Sequence, residues 1–290
     1  MGANESKLED EVDVGDTQRT YDLDVLQDHS GAINCMAVSE DGSILATGSD
    51  DNTIRLWTAK APRCDCIGIL SGHEGYIICA IIEEIFVFSG SVDKTVRKWD
   101  MATCVCLAVY SGHEERINRI ISTGDFVFSS STDATVRCWD VDDGRCIREF
   151  AGHLNSVFPL MYIPYDDEED DYSNDGRSQY DSEDRRRSAS SELSSVTTRS
   201  DNMKINDVLI TGSTDCTVRS WSFEKGRTLH IFSGHTGPVT CLGVDADGKV
   251  LITGSTDGSV RSWDIKSGSG IRVFEAHTQP IVCMTVKPSI

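Results

Sequence analysis

The sequence has few basic residues for its acidic ones and no long apolar run. Its 27 Lys and Arg stand against 47 Asp and Glu, which gives a formal net charge of −20. A surface with this charge repels phosphate backbones and anionic lipids, so we expect no nucleic acid among its partners and favour proteins, including basic peptides. No stretch reaches the roughly 18 apolar residues that span a bilayer, and the N-terminus lacks the order of a secretory signal. These absences favour a cytoplasmic protein, with the nucleus as the alternative.

The cysteines lack the spacings of a disulfide framework or of a zinc site. There are eleven, an odd number, and none forms a CxxC pair. Four of them, Cys35, Cys79, Cys241 and Cys283, lie six residues after a histidine. Repeated small residues of this kind are typical of packing, because a free Cys behaves as a small buried hydrophobe. We therefore expect no disulfide and no metal site.

What the sequence has in abundance is internal repetition. Six segments share a pattern around a histidine: DHSGAIN, GHEGYII, GHEERIN, GHLNSVF, GHTGPVT and AHTQPIV. Five of them are followed by a second pattern: TGSDDNTIRLW, SGSVDKTVRKW, SSSTDATVRCW, TGSTDCTVRSW and TGSTDGSVRSW. In each, an Asp precedes the Trp by six residues, and a Thr or Ser follows the Asp by two. Short β-branched runs between turns such as EDGS and DDGR predict four short strands in each unit of about 40 residues.

A histidine early and a tryptophan late in each unit make the chain resemble the WD-repeat family. The Trp-Asp dipeptide occurs at Trp99, Trp139 and Trp263. The resemblance covers residues 21–290 and implies an all-β fold, a β-propeller of five complete four-stranded blades plus a partial blade. The order of the units also resembles one member of the family, through DHSGAIN, GHEGYI, FSSSTD and an interrupted fourth unit that resumes at VLITGSTD.

The His, hydroxyl and Asp of each unit are the residue types of a nucleophilic triad, but they recur five times with a Trp at fixed spacing. An active site needs only one such set. We interpret the sets as structural tetrads, in which a Trp N–H, a hydroxyl, an imidazole and a carboxylate form a buried chain of hydrogen bonds. The sequence therefore predicts no catalytic residue, no cofactor and no enzyme. The tetrad residues are His29, Asp51 and Trp57; His73, Asp93 and Trp99; His113, Asp133 and Trp139; His153, Asp215 and Trp221; and His235, Asp257 and Trp263.

The resemblance implies a non-enzymatic scaffold or adaptor that presents one propeller face to protein partners. In this family the side chains three and five residues after each His lie on that face. Exposed aromatic, apolar and Arg side chains anchor interfaces, so we hypothesise that blades two to four carry the main site. The alternative is that these side chains are ordinary surface. The candidate residues are Tyr76, Ile78, Arg116, Asn118 and Phe158.

The same fold also serves as the substrate-receptor subunit of cullin-type ubiquitin ligases, which is our alternative function. Two features weaken it: residues 1–20 are too short for an F-box-type helical module, and no Trp-Asp dipeptide is followed by Arg at the docking position. Arg119 is a separate oddity, because it holds the position that Cys occupies in four other units. We expect it to line the central channel.

Two segments lie outside the repeats. Residues 1–20 predict an acidic, disordered tail, and its opening MGANESK makes Gly2 a candidate for myristoylation. A single acyl chain gives only weak membrane contact, and no polybasic patch follows it. Residues 165–203 predict a disordered acidic and serine-rich insertion in the fourth blade, with twelve acidic and five basic residues between 165 and 202.

The chain ends inside a unit, at EAHTQPIVCMTVKPSI. The segment 21–29 matches an outer strand and 279–286 an inner strand, so the shared blade lacks its two middle strands. Two missing strands leave a gap of roughly 10 Å. We therefore expect an open or incompletely closed ring, from a truncated form or half of an assembly.

We predict that a basophilic kinase phosphorylates Ser188 and Ser190, which follow three arginines. Phosphate would strengthen the negative charge of the insertion. Mass spectrometry after kinase stimulation should find phosphate on one or both serines, and a chain with Arg186→Ala and Arg187→Ala should lose it. Stimulated wild type without phosphate there would favour the alternative, a plain solvated insertion.

Overall fold

The structure is a computed structural model that describes residues 28–59, 64–164, 207–275 and 277–286. The predicted tail 1–20 with Gly2, and the predicted insertion 165–203 with Ser188 and Ser190, lie outside these residues. Among the described residues, no helix is long and apolar enough to cross a membrane.

In the described ranges, twenty strands form five antiparallel sheets, each with its four strands in chain order. The first sheet contains β1 (Ile33–Val38), β2 (Ile44–Ser49), β3 (Thr53–Thr58) and β4 (Cys66–Ser71). The second contains β5 (Ile77–Glu83), β6 (Phe86–Ser91), β7 (Val96–Asp100) and β8 (Cys106–Tyr110). The third contains β9 (Ile117–Ser122), β10 (Phe126–Ser131), β11 (Thr135–Asp140) and β12 (Cys146–Ala151). The fourth contains β13 (Val157–Ile163), β14 (Val208–Ser213), β15 (Thr217–Ser222) and β16 (Thr228–Ser233), and the fifth β17 (Val239–Val244), β18 (Val250–Ser255), β19 (Val260–Asp264) and β20 (Gly270–Phe274).

Each inner strand has an irregular register near its start. In the first blade Ile33 pairs with Ser49 and Cys35 pairs with Gly48, so Asn34 is an extra residue. The other four inner strands show the same irregularity. A bulge of this kind leaves a residue outside the ladder and re-aims its side chain. The fifth residue after each tetrad His therefore has no partner on the neighbouring strand.

Neighbouring blades pack through the inner strand of one and the second strand of the blade before it. Ile77 lies against Gly48, where a Cβ would come within 2.5 Å of Ile77 Cγ2, so only glycine fits. The same contact joins Ile117 to Gly90 and Val239 to Gly212. These apolar residues, each four positions after a tetrad histidine, are at most 1% exposed. The core is therefore a series of layers between blades.

The ring is open. The inner strands pack in the order β1, β5, β9, β13 and β17, and within the described ranges no comparable packing joins β1 to β17. Residues 277–286 continue past the fifth blade in the place of a sixth inner strand, where the Ile281 N–H donates to the Ser255 carbonyl at 3.0 Å. On the first blade, Ile33, Met36 and Val38 are 49%, 69% and 57% exposed. The prediction of five complete blades, a partial one and an incompletely closed ring is confirmed.

The fourth blade keeps its sheet despite the interruption. Ile163 pairs with Val208 across the interruption, and the ladder continues from there to Val157 and Ser213. The Tyr162 hydroxyl donates a hydrogen bond to Asp207 beside this junction. The two ends of the segment therefore meet at the position where other blades have a short turn.

We predict that Ile77→Ala and Ile33→Ala differ sharply in their effect on stability, although the two residues are equivalent in the repeat. Ile77 is fully buried, so its truncation should lower the free energy of unfolding by about 2–5 kcal/mol. Ile33 is half exposed, so Ile33→Ala should lower the free energy of unfolding by less than about 1 kcal/mol. Urea unfolding measures both. An equal loss would mean that the face of the first blade is covered and the ring closed.

Candidate functional site

Each blade contains one hydrogen-bonded tetrad. In the third blade the Trp139 Nε1–H donates to Ser129 Oγ at 2.8 Å. Ser129 Oγ lies 2.9 Å from His113 Nε2, and His113 Nδ1 lies 2.7 Å from Asp133 Oδ2. The equivalent distances in the other blades lie between 2.7 and 3.0 Å. The structure thus brings together each set of residues that the sequence pattern groups.

The tetrad carboxylates accept four hydrogen bonds each. Asp215 Oδ2 accepts from His153 Nδ1 and from the Leu154 N–H, while Oδ1 accepts from the N–H and the hydroxyl of Thr217. Burial alone would raise the pKa of Asp215, but the bonds from Thr217, Leu154 and His153 outweigh it and lower that pKa to about 2. The Thr or Ser two residues after each Asp therefore stabilises the ionised carboxylate.

The tetrad chain can be completed with a neutral imidazole. The hydroxyl accepts from the Trp N–H and has one proton to donate; when that proton goes to His Nε2, the ring proton is on Nδ1 and is donated to the Asp. Burial lowers the pKa of His153 and of His235, and their Asp partners oppose this only in part. Both rings therefore favour the neutral form, and acidification below their ordinary pKa of about 6.5 should destabilise the fold.

The tetrad also fixes the loops of one propeller face. The residue after each tetrad His donates its backbone N–H to the tetrad Asp, as the Leu154 N–H does to Asp215 at 2.9 Å. Ser30, Glu74, Glu114 and Thr236 make the same bond in the other blades. These loops are therefore held at the backbone, while their side chains project outward.

The five predicted partner-binding residues do not share one environment. Tyr76 is 52% exposed, and Arg116 is exposed with its Nε donating to Thr132 Oγ1 at 3.3 Å. Ile78 and Phe158 are half-buried. Asn118 is 5% exposed, and its Nδ2 donates to the Val157 carbonyl at 2.8 Å. Asn118 is thus used inside the propeller rather than on its face.

The difference comes from the chemistry of the bulge residue. Asn34 donates to the Ile77 carbonyl at 3.0 Å, Asn118 to that of Val157, and the Thr240 hydroxyl to that of Ile281. A polar bulge residue therefore links its blade to the next one by a hydrogen bond. The apolar bulge residues Ile78 and Phe158 have no group to donate and stay at the edge of the face.

Leu154 lies on the same face and was not among the predicted residues. It is 83% exposed, the most exposed large apolar side chain in the described part of the chain. The equivalent position, one residue after the His, is Ser, Glu or Thr in the other complete blades. An apolar residue at this otherwise polar position could have identified Leu154 from the sequence. We define the blade 2–4 face as Tyr76, Val92, Arg116, Leu154 and Phe158.

Acidic side chains lie on the loops of the same face. Glu74, Glu114 and Glu115 are exposed in the loops that the tetrads hold. Within the described ranges, no group of three or more His, Cys, Asp and Glu is placed to hold a metal ion, and all eleven cysteines are free thiols. The geometry therefore offers apolar contact groups and acidic groups on one face.

Comparison with known proteins finds the family "WD40: WD domain, G-beta repeat" at residues 21–58, 64–100, 104–140 and 226–264, together more than half of the chain. WD repeat-containing protein 86 of Homo sapiens, the member that the order of the units resembles, is 40% identical over 67 residues, 23% of this chain and 17% of that protein. Mitochondrial division protein 1 of Schizosaccharomyces pombe is 36% identical over 75 residues, 26% of this chain and 11% of that protein. The chain thus spans less than a fifth of either relative. A crystal structure of the computationally designed Ika8 protein has a TM-score of 0.68 and 23% identity, and the match covers 89% of this chain and 66% of that one, which shows the fold alone.

We predict that Asp215→Asn lowers the free energy of unfolding by about 2–4 kcal/mol at pH 7, because it removes the charge that four donors stabilise. The wild-type advantage is complete above the unfolded pKa of 3.8 and is lost as pH falls toward the folded pKa of about 2. Urea unfolding followed by tryptophan fluorescence measures it between pH 7 and pH 2. Asp247→Asn, the same change in an exposed turn, is the control and should cost less than about 0.5 kcal/mol. Equal losses in the two variants would contradict the role of the tetrad.

Proposed function

The chain belongs to the WD40 family of G-beta repeats, whose members typically act as protein-interaction scaffolds and are generally not enzymes, and from this premise we propose that it is a non-enzymatic adaptor. Its blade 2–4 face binds the partner. The observation that carries the proposal is the exposure of Leu154 (83%) and Tyr76 (52%), each on a loop whose backbone a tetrad holds in place.

Exposed apolar groups on fixed loops are the arrangement expected of an interface. Exposing an apolar side chain to water is unfavourable, so burying it against a partner contributes favourably to binding. A loop that is already ordered loses little conformational entropy when the partner binds. Tyr76 adds an aromatic anchor, and Arg116 adds another residue type that is enriched among interface hot spots. The face thus has apolar side chains and two cationic groups, Arg116 and the exposed Lys94, whose Nζ donates to the Glu114 carbonyl at 2.6 Å.

The charge of the face indicates the chemistry of the partner. Glu74, Glu114 and Glu115 are exposed on the tetrad-held loops of blades two and three, and the chain as a whole carries −20. Complementary charge speeds association and excludes partners of the same sign. We therefore propose a partner segment with apolar side chains flanked by Lys or Arg.

We predict that the combined change Tyr76→Ala, Arg116→Ala and Leu154→Ala removes the partner. One anchor worth about 2 kcal/mol corresponds to about 30-fold in affinity, so the triple variant should lose far more than about 30-fold. Affinity purification from cells with quantitative mass spectrometry measures the co-purifying proteins.

The control is a matched triple variant away from the face: Ile69→Ala, Leu107→Ala and Arg145→Ala, on outer strands and an outer turn. It removes similar apolar surface and the same charge, and it should keep every partner. Partners retained by the face variant, or lost equally from both, would contradict the proposal. Cullin-adaptor subunits among the face-dependent proteins would identify the ligase function instead.

A further inference from the structure

Two cationic side chains meet the same loop of the blade 2–4 face. Lys94, from the turn between the second and third strands of blade two, donates its Nζ to the Glu114 carbonyl at 2.6 Å. Arg116 follows Glu114 by two residues, and both cations are exposed. In the other complete blades the position of Lys94 carries Asn, Ala, Cys or Gly, and that of Arg116 carries Ala, Tyr, Ser or Pro. At these two positions, positive charge therefore occurs only at the junction of blades two and three.

The backbone of the loop that starts at Glu114 is fixed at four points. The Glu114 N–H donates to the tetrad aspartate of blade three at 3.0 Å. The Glu115 carbonyl accepts from Ser131 Oγ, and the Arg116 carbonyl accepts from the Thr132 N–H, each at 3.1 Å. With the bond from the lysine of blade two, all three carbonyls of the loop have donors. A partner therefore meets a loop that is already ordered and loses little entropy on binding.

A chain of hydrogen bonds also orients the guanidinium of Arg116. Its Nε donates to Thr132 Oγ1 at 3.3 Å, and that hydroxyl donates to Asn118 Oδ1 at 3.2 Å. Asn118 Nδ2 in turn donates to the Val157 carbonyl of blade four at 2.8 Å. Because the hydroxyl proton goes to Asn118, the oxygen of Thr132 is left to accept from the arginine. The two Nη groups of Arg116 take no part in this chain.

Both cations have donors that these bonds do not use. Lys94 has three N–H groups and gives one to the Glu114 carbonyl, and Arg116 has five and gives one to the Thr132 hydroxyl. Across the described ranges, neither cation forms an ion pair with a carboxylate. Charge-assisted hydrogen bonds to a carboxylate are among the strongest that such groups make. Two cations held on one ordered loop therefore offer a binding place for an anionic group.

The charges of the loop select the class of anion. A phosphate carries close to two negative charges near the exposed Glu114 and Glu115, whereas a carboxylate carries one. Like charges brought together at an interface are unfavourable, so the single charge is the better fit. On the basis of the adaptor function proposed above, we propose that Lys94 and Arg116 bind an Asp or Glu side chain of the partner segment. Thr132 is the positioning residue that holds the guanidinium for this contact.

The probe is a phage-displayed library of random peptides, selected on the full chain. A parallel selection uses the Tyr76→Ala, Leu154→Ala variant, which keeps both cations and lacks two apolar anchors of the face. Peptides that bind wild type and not this variant form the face-dependent set. We expect most of them to contain an Asp or Glu beside apolar residues.

The contact itself is measured by pairing a change in the peptide with a change in the chain. Replacing the acidic residue of a selected peptide by its amide should weaken binding to wild type about tenfold or more. The same replacement should cost less than about threefold in Arg116→Gln, where only Lys94 remains. Fluorescence anisotropy of the labelled peptides measures each Kd.

A second cycle tests the positioning residue. Thr132→Val removes the hydroxyl and should weaken binding of the acidic peptide about threefold to tenfold. It should have no further effect in Arg116→Gln, whereas general damage to the loop would weaken binding in both backgrounds. Thr132→Ser keeps the hydroxyl and should bind like wild type. Thr256→Val, the same change at the equivalent exposed residue of blade five, is the control and should leave the Kd unaltered.

The outcomes separate the carboxylate contact from the adaptor function. Face-dependent peptides without an acidic residue, or an equal cost of the amide in wild type and Arg116→Gln, would overturn the contact and leave the face as the binding surface. Tighter binding of a phosphoserine peptide than of the Glu peptide would overturn the choice of anion. If no peptide distinguished wild type from the Tyr76→Ala, Leu154→Ala variant, the adaptor face would be wrong, and the carboxylate contact with it.

Discussion

The buried hydrogen bond from each tetrad histidine to its aspartate is the interaction on which the rest of the structure depends. It links the loop before an inner strand to the turn between the second and third strands, as His113 and Asp133 do at 2.7 Å. The tryptophan and the hydroxyl extend the chain to the third strand, so every polar group finds a partner inside the blade. Breaking one bond leaves the others unsatisfied in a buried place, which is why the tetrad acts as a unit.

The same bond shapes the surface that would meet a partner. Because the tetrad aspartate also accepts the N–H of the next loop residue, side chains such as Leu154 stand on a backbone that is already fixed. A scaffold gains from this arrangement, since ordered loops lose little entropy when a partner binds. One carboxylate per blade therefore both stabilises the blade and fixes the loop at its face. The four donors to this carboxylate keep its pKa low.

The sequence pattern predicted the strands, the five tetrads and the open ring, because fixed spacings between His, Asp and Trp leave few ways to arrange four short strands. It could not separate the residues of the face. Asn118 and Phe158 hold the same repeat position, yet one donates to the next blade and the other cannot, and only the bulge geometry shows this. Leu154 was missed because its position is polar in the other complete blades.

The most direct measurement of the central claim is hydrogen exchange of the tryptophan side chains by NMR. The five indole N–H groups each donate to a tetrad hydroxyl, and the tryptophans are at most 5% exposed. The account predicts five separate indole signals whose exchange with water is slow and requires opening of the blade. A tryptophan in blades two to four whose indole proton exchanges at the rate of an exposed side chain would contradict it.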